Sequence, residues 1–252
     1  MALLVPDYII NANIQDQRVQ YEWDDWRSLE SKKIDDKTIT RLREISRKAI
    51  LAFMCGSAEW LIYRFAKLCD VQMPEAYIEA AWAMLINVRY VGYGSFTWQE
   101  YENNEWIGPI KQPITKALQW LETAIQDLEW EGTDPAFDAF ILSNIVTYVL
   151  ADSKPYQIWS NQVLECLKVK YPRNPKDKQG DVVPRQVLNL GCSFNVNDTE
   201  LLINNFLKKL DYHSNEFLST PSGMKELYDD EEEGFIGTPY LFDLELDRRS
   251  RL

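Results

Sequence analysis

A single histidine, His213, sets the first limit on what chemistry this 252-residue chain can do. Ser-His-Asp and Cys-His mechanisms would have to run through it, and a multi-histidine metal site has no second ligand. Its place at the end of a helical pattern suits a cationic cap or a plain surface residue. The chain contains no G-x-S-x-G, no G-x-x-x-x-G-K-[ST] and no G-x-G-x-x-G, so no cofactor is expected. Gly92-Tyr93-Gly94-Ser95 is too short for any of these and reads as a turn that ends a helix.

Carboxylates offer the other route to chemistry. Two acids at i and i+3 share one helix face and can hold Mg²⁺ or Mn²⁺ for a hydrolase. Glu102 with Glu105, and Glu22 with Asp25, have that spacing, but neither lies in a strong helical period. Solvated loop charge is the plainer reading of both. The run Asp229, Asp230, Glu231, Glu232, Glu233 lacks the alternating ligands and central Gly of an EF-hand loop. It reads either as a solvated tail or as a lure for a basic protein. Between Tyr93 and Trp106, Trp98 and Trp106 alternate with Glu100, Glu102 and Glu105. Aromatic anchors inside an acidic rim suit capture of a basic surface, and they equally suit a long loop tied down by its two Trp.

Composition narrows the partner. The net charge is −12, which repels nucleic acid and anionic membranes and attracts basic proteins. Nine Trp, thirteen Tyr and ten Phe serve as core filling first and as interface anchors second. Cys55, Cys69, Cys166 and Cys192 are widely spaced without a C-x-x-C pair, which predicts reduced thiols in a cytoplasmic protein. Met1 to Ile10 carry no basic n-region, so a secretory leader is not expected. No stretch is apolar for long enough to predict a membrane span.

The elements that must position these residues are helical. Ile39, Leu42, Ile45, Ala49 and Phe53 recur at spacings of three and four, and Gly56-Ser57 marks a bend before Ala58, Leu61, Ile62 and Phe65 resume. Further helices are predicted from Pro74 to about Val91, Pro113 to about Glu131, Pro135 to Leu150, Tyr156 to Tyr171, and after an Asp198 cap. The Pro135 helix is apolar nearly all round, which predicts a central position. Residues 172–185 form a connector, residues 168–185 hold six basic against two acidic residues, and a short strand is predicted at 187–190. Residues 214–247 hold ten acids and one Lys.

The expected fold is an irregular all-α bundle of six to eight helices with one short strand pair near 182–196. A helical domain spans 1–213, and an acidic tail at 214–252 packs on it or extends from it. The expected function is non-catalytic, cytoplasmic protein binding, most specifically neutralisation of a basic toxin or enzyme in the manner of a bacterial immunity protein. An adaptor or chaperone and a carboxylate-dependent metal hydrolase are the alternatives. The residues expected at the partner surface are Trp98, Glu100, Glu102, Glu105, Trp106 and Asp229 to Glu233.

Overall fold

Ser46 sets where the longest helix begins. Its backbone is extended and its hydroxyl accepts from the Ala49 N–H, which satisfies one donor of the first turn. The apolar stripe of Ile39, Leu42, Ile45 and Ala49 predicts one continuous helix here, yet the chain breaks between Leu42 and Arg47. Ile45 instead makes an antiparallel bridge with Pro172. Past this break no bend occurs at Gly56-Ser57; the helix runs straight through to Phe65. The reason is close packing. A Cβ on Gly56 would sit 2.5 Å from the Leu188 Cδ1 and 3.1 Å from the Trp159 ring, so glycine is the residue that lets these elements approach.

The computed structural model describes residues 4–15, 18–23, 36–91, 98, 107–126, 134–177, 179–190 and 193–220. It is all-α. In chain order the described helices are α1 (Asp7–Ile10), α2 (Asp36–Leu42), α3 (Arg47–Phe65), α4 (Gln72–Ile86), α5 (Gly108–Gln126), α6 (Ala136–Val149), α7 (Lys154–Lys170), α8 (Gln186–Leu190) and α9 (Thr199–Leu207). Short 3₁₀ turns occupy Val88–Tyr90 and Val196–Asp198. The expected strand pair near 182–196 is absent from the described residues, and 186–190 is helical. Pro184 and Arg185 carbonyls take the Val187 and Leu188 N–H groups and wind the chain into a turn, while Val187 and Leu188 bury together. Two adjacent residues on one side fit a helix, because a strand would send them to opposite faces. Asp198 precedes α9 without capping it by its side chain.

Helices α3, α5 and α6 pack against one another in all three pairs, and α4 lies on α3. α5 starts five residues before the expected Pro113, which therefore lies inside it. Pro113 has no N–H to give to the Pro109 carbonyl, and the Tyr21 hydroxyl donates to that carbonyl instead. Tyr21 also meets Tyr148 at the end of α6, so the N-terminal segment lies across two helix ends. The aromatic surplus goes largely to the core. Trp159 is within 6 Å of Tyr8, Phe53, Trp60 and Tyr156, ring centre to ring centre. The first residues of the expected tail pack on the body: Asn215, Phe217 and Leu218 are buried, and the Ser219 N–H donates to the Tyr90 carbonyl.

Candidate functional site

Charge is rare on α3 between Leu51 and Phe65, where Glu59 and Arg64 are the ionisable acid and base of an otherwise apolar run. Glu59 is 1% exposed. Its carboxylate accepts from Trp82 Nε1 on α4 at 2.9 Å, from the Tyr8 hydroxyl of α1 at 2.8 Å and from Arg185 Nε at 2.7 Å. Arg185 also donates to the Leu4 carbonyl at 2.9 Å. The three donors, one of them a guanidinium, satisfy both oxygens of the buried carboxylate. Its negative charge raises the Tyr8 hydroxyl well above the usual tyrosine value, behind burial as the larger cause. The arrangement locks four segments together and leaves Glu59 few lone pairs for a substrate.

A second polar chain lies deeper. The Ser57 and Tyr156 hydroxyls are 3.0 Å apart, and Tyr156 donates to Ser143 at 2.9 Å. Burial pushes the Tyr156 hydroxyl up to about 12. It keeps its proton at neutral pH and cannot activate Ser57 as a base.

The Glu59 clasp forms the floor of a surface groove. Trp82 and Ile86 of α4, Val183 to Gln186, and Leu202, Ile203 and Phe206 of α9 line it. Its walls are apolar except around Arg185, whose charge Glu59 already balances. Along α4, Glu75, Glu79, Trp82 and Ile86 recur at i, i+4, i+7 and i+11, so the apolar groove and two carboxylates share one helix face. Glu79 Oε2 accepts from Asn215 Nδ2 at 3.1 Å. Burial raises both carboxyls above their usual value; Asp70 and Glu79 add to this for Glu75, and Asp211 adds to it for Glu79. Carboxylates that crowd one another in this way gain from a cation brought beside them. Glu79 and Trp82 are themselves buried, so Glu75 and Ile86 are the residues of this face left half-exposed to a partner.

The residues expected from sequence are distributed differently. Trp98 is 4% exposed, its ring edge-on to Tyr77 at 5.5 Å and its backbone N–H donating to Glu122 at 3.0 Å. Its burial leaves little ring surface for a partner. Glu100, Glu102, Glu105, Trp106 and Asp229 to Glu233 lie outside the described residues, as does Asp25. Glu22 is exposed, and its carbonyl accepts from the Tyr148 hydroxyl at 2.6 Å. His213 is exposed beside Tyr212, with ring centres 4.3 Å apart. Among the described residues no group of three or more His, Cys, Asp or Glu could hold a metal ion. The thiol expectation is corrected in part: Cys55 and Cys69 are free, whereas Cys166 is disulfide-bonded to a partner outside the described residues.

Sequence reading missed Glu59, Arg185, Glu75 and Glu79. The signal for Glu59 was present, as an isolated acid in an apolar helix has to find donors. No family model, no curated protein and no solved structure matches the chain. No helix among the described residues is long and apolar enough to cross a membrane.

Proposed function

We propose that this chain is a non-catalytic binding domain that captures a basic protein, in the manner of an immunity protein that neutralises a toxin or enzyme. The observation that carries the reading is the groove between α4 and α9, whose half-exposed Ile86, Leu202 and Phe206 lie beside an α4 face that carries the half-exposed Glu75. An apolar anchor beside a basic residue on the partner fills both halves. The groove supplies desolvated contact, which holds a complex once formed, and the −12 net charge supplies attraction at a distance.

The cytoplasmic placement expected from the sequence belongs to this proposal. The Cys166 disulfide weighs against it, since such bonds persist mainly in oxidising compartments. Capture of a basic protein is open in either setting.

The test is affinity capture from the source cell at low salt, with the parent beside a Leu202→Arg variant that places a like charge against a cationic partner. The expected result is a basic protein retained by the parent, released by salt and lost from the variant. Recovery of the same protein by both would remove the groove from the mechanism. Phosphoester hydrolysis in the presence of Mg²⁺, with nothing captured, would overturn the reading.

A further inference from the structure

Arg64 closes the last turn of α3 and is 0% exposed. None of its three guanidinium nitrogens has a hydrogen-bond partner among the described residues. Its nearest recorded company is apolar, with Cζ 5.2 Å from the centre of the Phe65 ring. Burial draws its pKa below the usual arginine value, with Tyr21 opposing. A guanidinium keeps its charge in proteins, and a buried charge without a counterion is among the least favourable arrangements a fold can hold. Glu59, one turn earlier on the same helix, shows the opposite state, with each oxygen accepting from a donor.

The place is the junction where the end of α3 meets the first turns of α5. Tyr21, on which Arg64 acts, donates to the Pro109 carbonyl in the first turn of α5. Burial raises the Cys69 thiol, just past α3, above its ordinary value, and Lys111 of α5 opposes that rise. On the same face of α5, four residues on from Lys111, the Thr115 Oγ1 is buried and has no hydrogen-bond partner among the described residues. Arg64 therefore shares Tyr21 with the first turn of α5, the positive end of that helix.

We propose that Arg64 is the seat of an oxyanion site at the α3–α5 junction, which takes a phosphate or a carboxylate in a two-point fork. The planar guanidinium offers parallel donors at the spacing of two oxygens on one phosphorus or carbon. The oxyanion comes from a free ligand, for which inorganic phosphate is the probe.

The experiment follows melting and the Arg64 Nε–H resonance of ¹⁵N-arginine-labelled full-length protein, in chloride and in inorganic phosphate at matched ionic strength. A free oxyanion predicts a saturable rise in Tm of several degrees and a shift of the Arg64 resonance, both lost in Arg64→Met. An Nε–H that exchanges slowly in chloride alone, with no response to phosphate, would mean that the chain's own groups already satisfy Arg64 and would overturn the site. If Arg64→Met does not fold, Arg64→Lys keeps the charge without the fork and must lose most of the phosphate effect. No phosphate response, together with an Arg64→Met variant that melts at or above the parent, would overturn the site.

Discussion

Glu59 and Arg185 are 126 residues apart in sequence and 2.7 Å apart in space, with Glu59 1% exposed on its side chain. Glu59 alone would keep the Tyr8 and Trp82 donors and Arg185 alone would keep the Leu4 carbonyl, but each would lose its counterion. Removing one member of such a pair typically costs about 3–5 kcal/mol, while replacing both with apolar groups of similar volume is close to neutral. Glu59→Met should therefore destabilise by that amount in urea denaturation, since Arg185 is left opposite a thioether. The double variant Glu59→Met/Arg185→Met should recover most of the loss. Additive losses in the double variant would show that the pair is not coupled.

Gly56→Ala sets two effects against each other. Alanine gains about 1 kcal/mol of helix propensity over glycine. The new methyl meets the Leu188 Cδ1 at 2.5 Å and the Trp159 ring at 3.1 Å, both in the buried core. Overpacking of that kind costs about 1–3 kcal/mol. The clash should win by about 1 kcal/mol in the urea midpoint, and the Trp159 fluorescence should shift as its ring moves. A stabilised variant would mean that α8 moves away from α3 at little cost.

Glu79 gives a pH dependence with a definite sign. Its folded pKa lies above the ordinary 4.5, chiefly because burial disfavours the charge, with Asp211 adding and the Asn215 hydrogen bond opposing. The folded state thus holds this proton more tightly than the unfolded chain does. The resulting stability is fully present below pH 4.5 and is lost as pH rises through the folded pKa. Glu79→Gln keeps an acceptor for Asn215 and removes the charge. The variant should melt above the parent at pH 7, and the gap should close as the pH is brought down through 4.5. A gap that widens on acidification would contradict the burial argument.

Periodicity made the larger helices legible. The stripes at Tyr77–Leu85, Ile114–Ile125, Phe137–Val149 and Leu202–Leu210 mark α4, α5, α6 and α9, because a helix of three turns repeats its buried face. It could not show α1 or α8, which have four and five residues and complete barely one turn. Nor could it show the break at Ser46, because Ile45 stays buried whether it belongs to a helix or bridges Pro172. The groove was invisible for a different reason. It joins α4 to α9 and the stretch around Arg185, more than 90 residues further along the chain, and no local pattern encodes that contact. Trp98 was visible as an aromatic near acids. Whether its ring faced outward or inward depended on Tyr77 and Glu122, which lie on two other helices.

Partner capture should separate into steering and holding. Charges outside the contact act on the encounter, and their influence falls off over about 8 Å at physiological ionic strength. Desolvated apolar contacts act on the lifetime of the complex. Neutralising Glu75, which lies in the contact, to Gln should slow association a few-fold, flatten its salt dependence and also speed dissociation, because its pairing with the partner's basic residue is lost. Neutralising Asp229 to Glu233 together should slow association in the same way if the acidic run also steers. Leu202→Arg, half-buried in the groove wall, should instead speed dissociation about 30-fold or more, the scale of a lost hot spot of about 2 kcal/mol. Trp106→Ala, in the segment read from sequence as aromatic anchors in an acidic rim, provides the comparison. If Trp106→Ala speeds dissociation and Leu202→Arg does not, the partner sits on the 93–106 segment and the α4–α9 groove is idle. Surface plasmon resonance against the captured partner, at 50 and 300 mM salt, reads both rates for every variant. A salt-independent association rate in the parent would remove electrostatic capture altogether, because a protein of net charge −12 that seeks a basic surface has to feel the screening.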